Sequence, residues 1–285
     1  MPALLALLAS LLWGTADFLG GTATRRLPVT SVVGVSQLVA LLGLLPVAVL
    51  TGALDEPRAY LVPGLLAGLA GLIALAAFYR ALAVGTMGVV APVAALGVVV
   101  PVAAGLGRGE SPSGLQLAGI AVAIVGVVLA SGPELSGEGR GGAAPLVLAL
   151  VAALGFGAVF VLIAEGTASG SFGSVVMTLL TMRLVSVVLL TLLLLATLRT
   201  RGGQLQVRRG DLLVLLTIGA FDVGANAAFA VASQSDLISV TAVLASFYPV
   251  VTVLLARQVH GERLVGVQLP GVALALVGVV LLAGG

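Results

Sequence analysis

The chain has 285 residues, of which 60% are hydrophobic and only 8% charged, and its mean hydropathy is +1.26. A soluble domain carries roughly 25% charged residues, so a water-soluble globule is excluded. The formal charge of +2 is carried by scattered arginines, which gives no nucleic-acid partner, and with no cysteine there is no disulfide or thiolate metal site.

A spanning helix needs about 20 mostly apolar residues. Ten such stretches follow one another: 2–20, 30–51, 60–80, 88–107, 113–131, 144–165, 172–198, 211–232, 237–257 and 263–283. The first lacks a basic leader and is followed by Arg25 and Arg26, so it reads as an uncleaved span with a basic anchor. The connections are short and leave no room for a soluble domain. The longest break, GPELSGEGRGG at 132–142, is a Gly-rich charged linker at the midpoint of the chain.

The two sides of this linker repeat each other. Thirteen of the 22 residues from Gly109 to Ala130 recur from Gly261 to Leu282. Weaker echoes pair AAFYRALAVG (76–85) with AAFAVASQSD (227–236), and LWGTADF (12–18) with GFGAVFV (155–161). Residues 1–132 and 143–285 are therefore predicted to be two five-helix repeats. An odd number of spans per half turns the second half over, so the fold class expected is an all-α membrane protein of two inverted five-helix repeats.

Small residues mark packing faces. Gly119, Ala123, Gly126 and Ala130 form a stripe on the fifth span, Gly271, Ala275 and Gly278 on the tenth, and Gly64 and Gly68 a GxxxG pair on the third. Such stripes let helix backbones approach closely in lipid, inside the chain or across a homodimer. Most arginines lie in odd-numbered loops, which by the positive-inside rule puts those loops in the cytoplasm and both termini outside.

An ionised side chain at the bilayer centre costs on the order of 2.5–3.5 kcal/mol on insertion scales, so polar residues within spans are the candidate site. Asp222, Asn226, Phe229 and Ser233 fall at i, i+4, i+7 and i+11 on the eighth span, and so share a face. That face suits the wall of a substrate cavity or a polar clamp to another helix. Arg183, mid-way along the seventh span, needs a partner or water, and Asp222 is the candidate. Trp13 and Asp17 share a face of the first span. Tyr79 and Arg80 are expected to end the third span, and Gln234 and Asp236 stand at the matching place before the ninth, as anchors or as a cavity mouth. Ser246, Tyr248 and Pro249 interrupt the ninth span, and Pro92 and Pro101 do the same in the fourth. Glu110 and Glu262 are expected to complement the dipoles of the fifth and tenth helices. His260 is expected in a solvated loop.

No phosphate-binding loop, metal set or nucleophile–base set is present, so no cofactor, metal or enzymatic activity is expected. The 4% aromatic content disfavours a broad cationic-drug pocket lined by ring faces. Asp17 and Asp222 are candidates for a coupling proton.

Two five-helix halves, each closing on GE-x5-QL-x-G-x6-G, resemble the EamA-type repeat of the drug/metabolite transporter superfamily, as do VLASFYPVVTVLLARQVHGERL (243–264) and WGTADFLGG (13–21). The first half departs from that pattern: Gly97 and Val98 stand where the fourth helix would carry its proline. The resemblance implies a multi-pass carrier in the cell inner (plasma) membrane, moving a small-molecule substrate such as an amino acid by alternating access, often outward. It also implies cytoplasmic termini, against the arginine count. Two other readings are a flippase for a lipid-linked substrate, which needs a lateral opening between helices, and a non-transporting scaffold or accessory subunit.

Overall fold

Every long apolar stretch must satisfy its own backbone hydrogen bonds in lipid, and helix is the form that does so within one segment. The computed structural model describes residues 2–130, 143–201, 207–234, 237–261, 266–267, 269–271, 273–274, 277–278 and 281, and none of these is in a strand. The helices are α1 (Pro2–Thr24), α2 (Val29–Leu50), α3 (Leu61–Val84), α4 (Met87–Ala95), α5 (Val99–Gly107), α6 (Gly114–Ala130), α7 (Ala144–Gly166), α8 (Phe172–Arg201), α9 (Leu212–Ser233), α10 (Ile238–Ala245) and α11 (Tyr248–His260). Among the described residues, eight stretches are long and apolar enough to cross a membrane, with a shorter apolar helix at Gly114–Gly126. The described parts of the tenth predicted span are mostly helical, at 269–271, 273–274, 277–278 and 281.

Two spans are broken, and at matching places of the two halves. A 3-10 turn at Leu96–Val98 separates α4 from α5, and Ser246 and Phe247 separate α10 from α11. Pro249 sits in the first turn of α11, where a missing N–H costs nothing. In the first half the break lies between Pro92 and Pro101, at the glycine-containing turn, rather than at either proline.

The halves interlock. Contacts between spans recur under a two-fold exchange of the repeats: α1 packs on α9 as α7 packs on α3, α1 on α11 as α7 on α5, and α2 on α9 as α8 on α3. The exchange holds at single residues. A Cβ on Gly14 would lie 2.5 Å from the Val251 Cβ, and one on Gly157, its equivalent, 2.7 Å from the Val100 Cβ. Both glycines exist to let a backbone in. The GxxxG pair of α3 meets α8, with a Gly68 Cβ falling 2.6 Å from the Met182 carbonyl oxygen. The fifth and tenth spans approach closely inside the chain at one point of these stripes, where a Gly278 Cβ would lie 2.7 Å from the Ala123 Cβ.

Polar ties fasten both ends of the bundle. At one end Arg108 pairs with Glu165, and Gln234 donates to the Thr167 carbonyl at 3.1 Å. At the other, Arg26 pairs with Asp211 at 3.1 Å and the His260 ring meets the Thr22 hydroxyl at 2.9 Å.

Several expectations are corrected here. His260 is the last residue of α11 and packs its ring 5.3 Å from Phe18, because α11 runs past 257. Tyr79 does not end a helix, since α3 continues to Val84, and its side chain is buried. Glu110 does not open its own helix. It accepts from the Ile238 and Ser239 N–H groups at 2.8 and 3.1 Å, complementing the N-terminus of α10 in the other half. Asp236, Ala275, Glu262 and the linker 132–142 lie outside the described residues.

Filling a close approach should destabilise where filling open space does not. Gly68→Val is expected to cost about 1–3 kcal/mol, and Gly34→Ala, whose Cβ meets nothing within 4 Å, to leave stability within about 0.5 kcal/mol. Denaturant unfolding in detergent measures both.

Candidate functional site

A small cavity of about 50 Å³ lies at the mid-depth of the bundle, where both halves contribute walls. Charged and amide side chains reach it from four helices. Asp17 comes from α1, Gln37 from α2, Arg183 from α8, and Asp222 and Asn226 from α9.

Four of these form one cluster. The Arg183 guanidinium lies 2.9 Å from Asp222 Oδ2, with only 3% of its side chain exposed. Its Nη1 donates to Gln37 Oε1 at 2.6 Å, and Gln37 Nε2 donates to Asp222 Oδ2 at 3.4 Å. Asn226 Nδ2 donates to the Asp222 backbone carbonyl at 2.6 Å and to Oδ1 at 3.1 Å. The i, i+4 spacing on α9 brings these last two together. Close as it is to the carboxylate, Arg183 Nη2 does not point a hydrogen at it, and neither Nη2 nor Nε has a hydrogen-bond acceptor. The contact is an ion pair with donors to spare, on a residue that borders the cavity.

Asp17 stands apart from this cluster. It is 6% exposed and makes no hydrogen bond or ion pair among the described residues; its charged neighbour is Asp222, of the same sign. The Tyr248 hydroxyl, also on the cavity, is buried without a partner.

The opposite wall is apolar. Phe156, Val159 and Phe160 come from α7, and Gly71 and Leu75 from α3. Phe160 stacks on Phe229 with ring centroids 4.7 Å apart, and Trp13 lies 5.4 Å from Phe160 and 6.0 Å from Phe229. Trp13, Phe160 and Phe229 thus form one aromatic cluster beside the cavity. Cavity positions correspond across the repeats while their chemistry does not. Trp13 matches Phe156 and Asp17 matches Phe160, while Asp222 matches Gly71 and Asn226 matches Leu75. The backbone two-fold therefore yields one polar lobe, on α1, α8 and α9, and one apolar lobe, on α3 and α7.

Of the residues expected from sequence, Trp13, Asp17, Arg183, Asp222, Asn226 and Tyr248 border this cavity. Phe229 is fully buried behind Trp13 and Phe160. Tyr79 packs on Phe78 and against Gly20. Ser246 donates to the Ala242 carbonyl at 2.7 Å and borders a separate small cavity beside Ala123 and Phe247. Gln37 was missed, although its signal was present: it is the one amide in a span whose other polar residues are hydroxyls.

A profile of the EamA-like transporter family matches residues 1–132 and 143–284. The chain belongs to the EamA-like transporter family. This EamA-like transporter also shares its fold with a solved structure described only as a crystal structure of a protein, at 19% identity and a TM-score of 0.71, over 98% of this chain and 95% of the other. A search of the curated proteins finds no match. The fold and family make this a multi-pass membrane transporter.

Removing one member of the cluster should strand the other. Arg183→Leu is expected to cost about 3–5 kcal/mol by leaving a buried carboxylate without its cation, and adding Asp222→Leu should recover most of that loss. Unfolding of the single and double variants in one detergent decides it.

Proposed function

We propose that this EamA-like transporter is a secondary carrier, working as an exporter in the cell inner membrane, for a small metabolite such as an amino acid or a related compound. The observation that carries the reading is the cavity at mid-depth, where two inverted halves meet and present unsatisfied buried polar groups. An unpaired polar atom in a dry site costs about 1–3 kcal/mol, and a substrate that supplies the missing partners recovers it. Trp13, Asp17, Arg183, Asp222, Asn226 and Tyr248 are the proposed contacts, with Gln37 holding Arg183 in place and Phe229 backing Trp13.

Alternating access follows from the broken spans. α4–α5 and α10–α11 carry breaks at matching places, the second of them beside the cavity at Tyr248, and the ties at the two ends supply one closure each. Opening one end while the other stays fastened exposes the cavity to one side at a time. Energy would come from a solute gradient, exchange or a proton taken by a cavity carboxylate.

One observation favours a second reading. A cleft of about 400 Å³ lies between α2 and α8, bordered by Thr30, Gly34 and Leu38 on one side and Val187, Leu190 and Leu193 on the other. A lateral opening of this kind is what a lipid-linked substrate would use.

Solute counterflow in proteoliposomes tests the carrier reading, with labelled amino acids, amines, sugars and nucleotides as the panel. Transient accumulation of one class is expected, and Asn226→Leu should abolish it with the protein still folded. No accumulation of any class by folded protein, together with lipid copurifying in stoichiometric amount, would overturn it in favour of the flippase.

A further inference from the structure

The seam between α2 and α8 lies on the two-fold, because the exchange of halves swaps these two helices. Its two ends are nonetheless unlike. At one end the 3-10 turn Ala53–Asp55 packs on both helices, and a Cβ on Gly173 would strike the Glu56 carboxylate. At the other end the equivalent of Gly173 is the exposed Thr30, and there the cleft of about 400 Å³ opens. It runs from Thr30 in the first turn of α2 down to Leu38, about 12 Å along the helix. Its walls are apolar except for Thr30, Ser31 and Thr191. Gly34 lines it half-way. Glycine weakens a helix interior relative to alanine, and a Cβ here would meet nothing within 4 Å, so no close backbone approach accounts for it. What this glycine provides is room in the cleft.

Charge singles out what fills it. Residues 25–30 and 199–211, which flank the open end of the cleft, hold six arginines and one carboxylate, Asp211. Arg26 reaches Asp211 at 3.1 Å, which brings the exposed Arg208 and Arg209 beside the α1–α2 turn. Asp211 is already engaged by Arg26 and by the Arg208 N–H. The other end of the seam carries Asp55 and Glu56 instead. Basic residues at the mouth of an apolar cleft between spans suit an anionic lipid headgroup. We propose that the α2–α8 cleft is a site for one anionic phospholipid, held as a resident and not carried. Arg208 and Arg209 meet its phosphate, Thr30 and Thr191 its ester oxygens, and one acyl chain lies over Gly34 towards Leu38. The site stands apart from the transport path and does not rest on the carrier reading. Among the described residues the cleft and the central cavity share no lining residue, and the Gln37–Arg183 hydrogen bond lies in the wall between them. Leu38 and Val187 adjoin Gln37 and Ser186 of that wall, so the acyl chain supports it from outside.

Delipidated full-length protein in detergent is titrated with phosphatidylglycerol and with phosphatidylcholine of the same acyl chains, and bound lipid is counted by native mass spectrometry. One phosphatidylglycerol per chain is expected, bound more tightly than phosphatidylcholine and raising the unfolding temperature. Arg208→Gln with Arg209→Gln should weaken phosphatidylglycerol about fivefold for each arginine removed and leave phosphatidylcholine unchanged. Gly34→Phe should fill the cleft and lose the bound lipid, with its unfolding in lipid-free detergent like that of the unaltered chain. Should Gly34→Phe fail to fold, the arginine pair decides alone. Equal binding of the two lipids, or phosphatidylglycerol binding that survives the arginine substitutions, overturns the site. Movement of labelled phosphatidylglycerol between leaflets of proteoliposomes would make the lipid a cargo and overturn its residence, leaving the central cavity untouched.

Discussion

The ion pair between Arg183 and Asp222 is the interaction around which the rest is arranged. In a bilayer a charge left without a partner is costly, and this pair joins α8 to α9 inside the bundle, with 3% of the arginine side chain exposed. Gln37 extends it to α2, and Asn226 steadies the carboxylate from the next turn of α9. Three helices from two halves are thereby held in one register around an empty space. Buried pairs of this kind are weak contributors to net stability, since apolar replacements often do as well. The cluster is better accounted for by what it presents to the cavity than by what it adds to the fold.

The fold itself rests on close backbone contact between halves. Gly14 against α11 and Gly157 against the α4–α5 break are one contact made twice. The same positions that repeat in backbone differ in side chain at the centre, where Asp17 faces Phe160 and Asp222 faces Gly71 in the exchange of halves. Packing keeps the two-fold at the helix contacts, and the side chains around the cavity break it. A site lying on a two-fold axis has to break that symmetry to bind an asymmetric molecule in one orientation.

Much of this was legible in the sequence because the bilayer imposes a length and a polarity on each span. The described helices fall within a few residues of the apolar stretches, and the facing of Asp222 and Asn226 followed from helical spacing alone. The misplaced residues share a cause. Glu110 and His260 were assigned to their own neighbourhoods along the chain, while their partners are Ile238, Ser239 and Thr22 in the opposite half. Spacing gives contacts within a helix, whereas an inverted repeat makes its decisive contacts across the chain midpoint. Gln37 was overlooked for a related reason: its role appears only once α2, α8 and α9 meet. Tyr79 was misjudged because helix ends in apolar sequence carry no breaker, and α3 simply continues.

The central claim is that the buried polar cluster, beyond setting the register of three helices, serves binding more than net stability. Counterflow by the Arg183→Leu, Asp222→Leu double variant tests it most directly, using the substrate class that the unaltered protein accumulates. The account predicts a protein that reconstitutes and unfolds like the unaltered chain yet accumulates nothing. Accumulation at the unaltered rate by the double variant would contradict it.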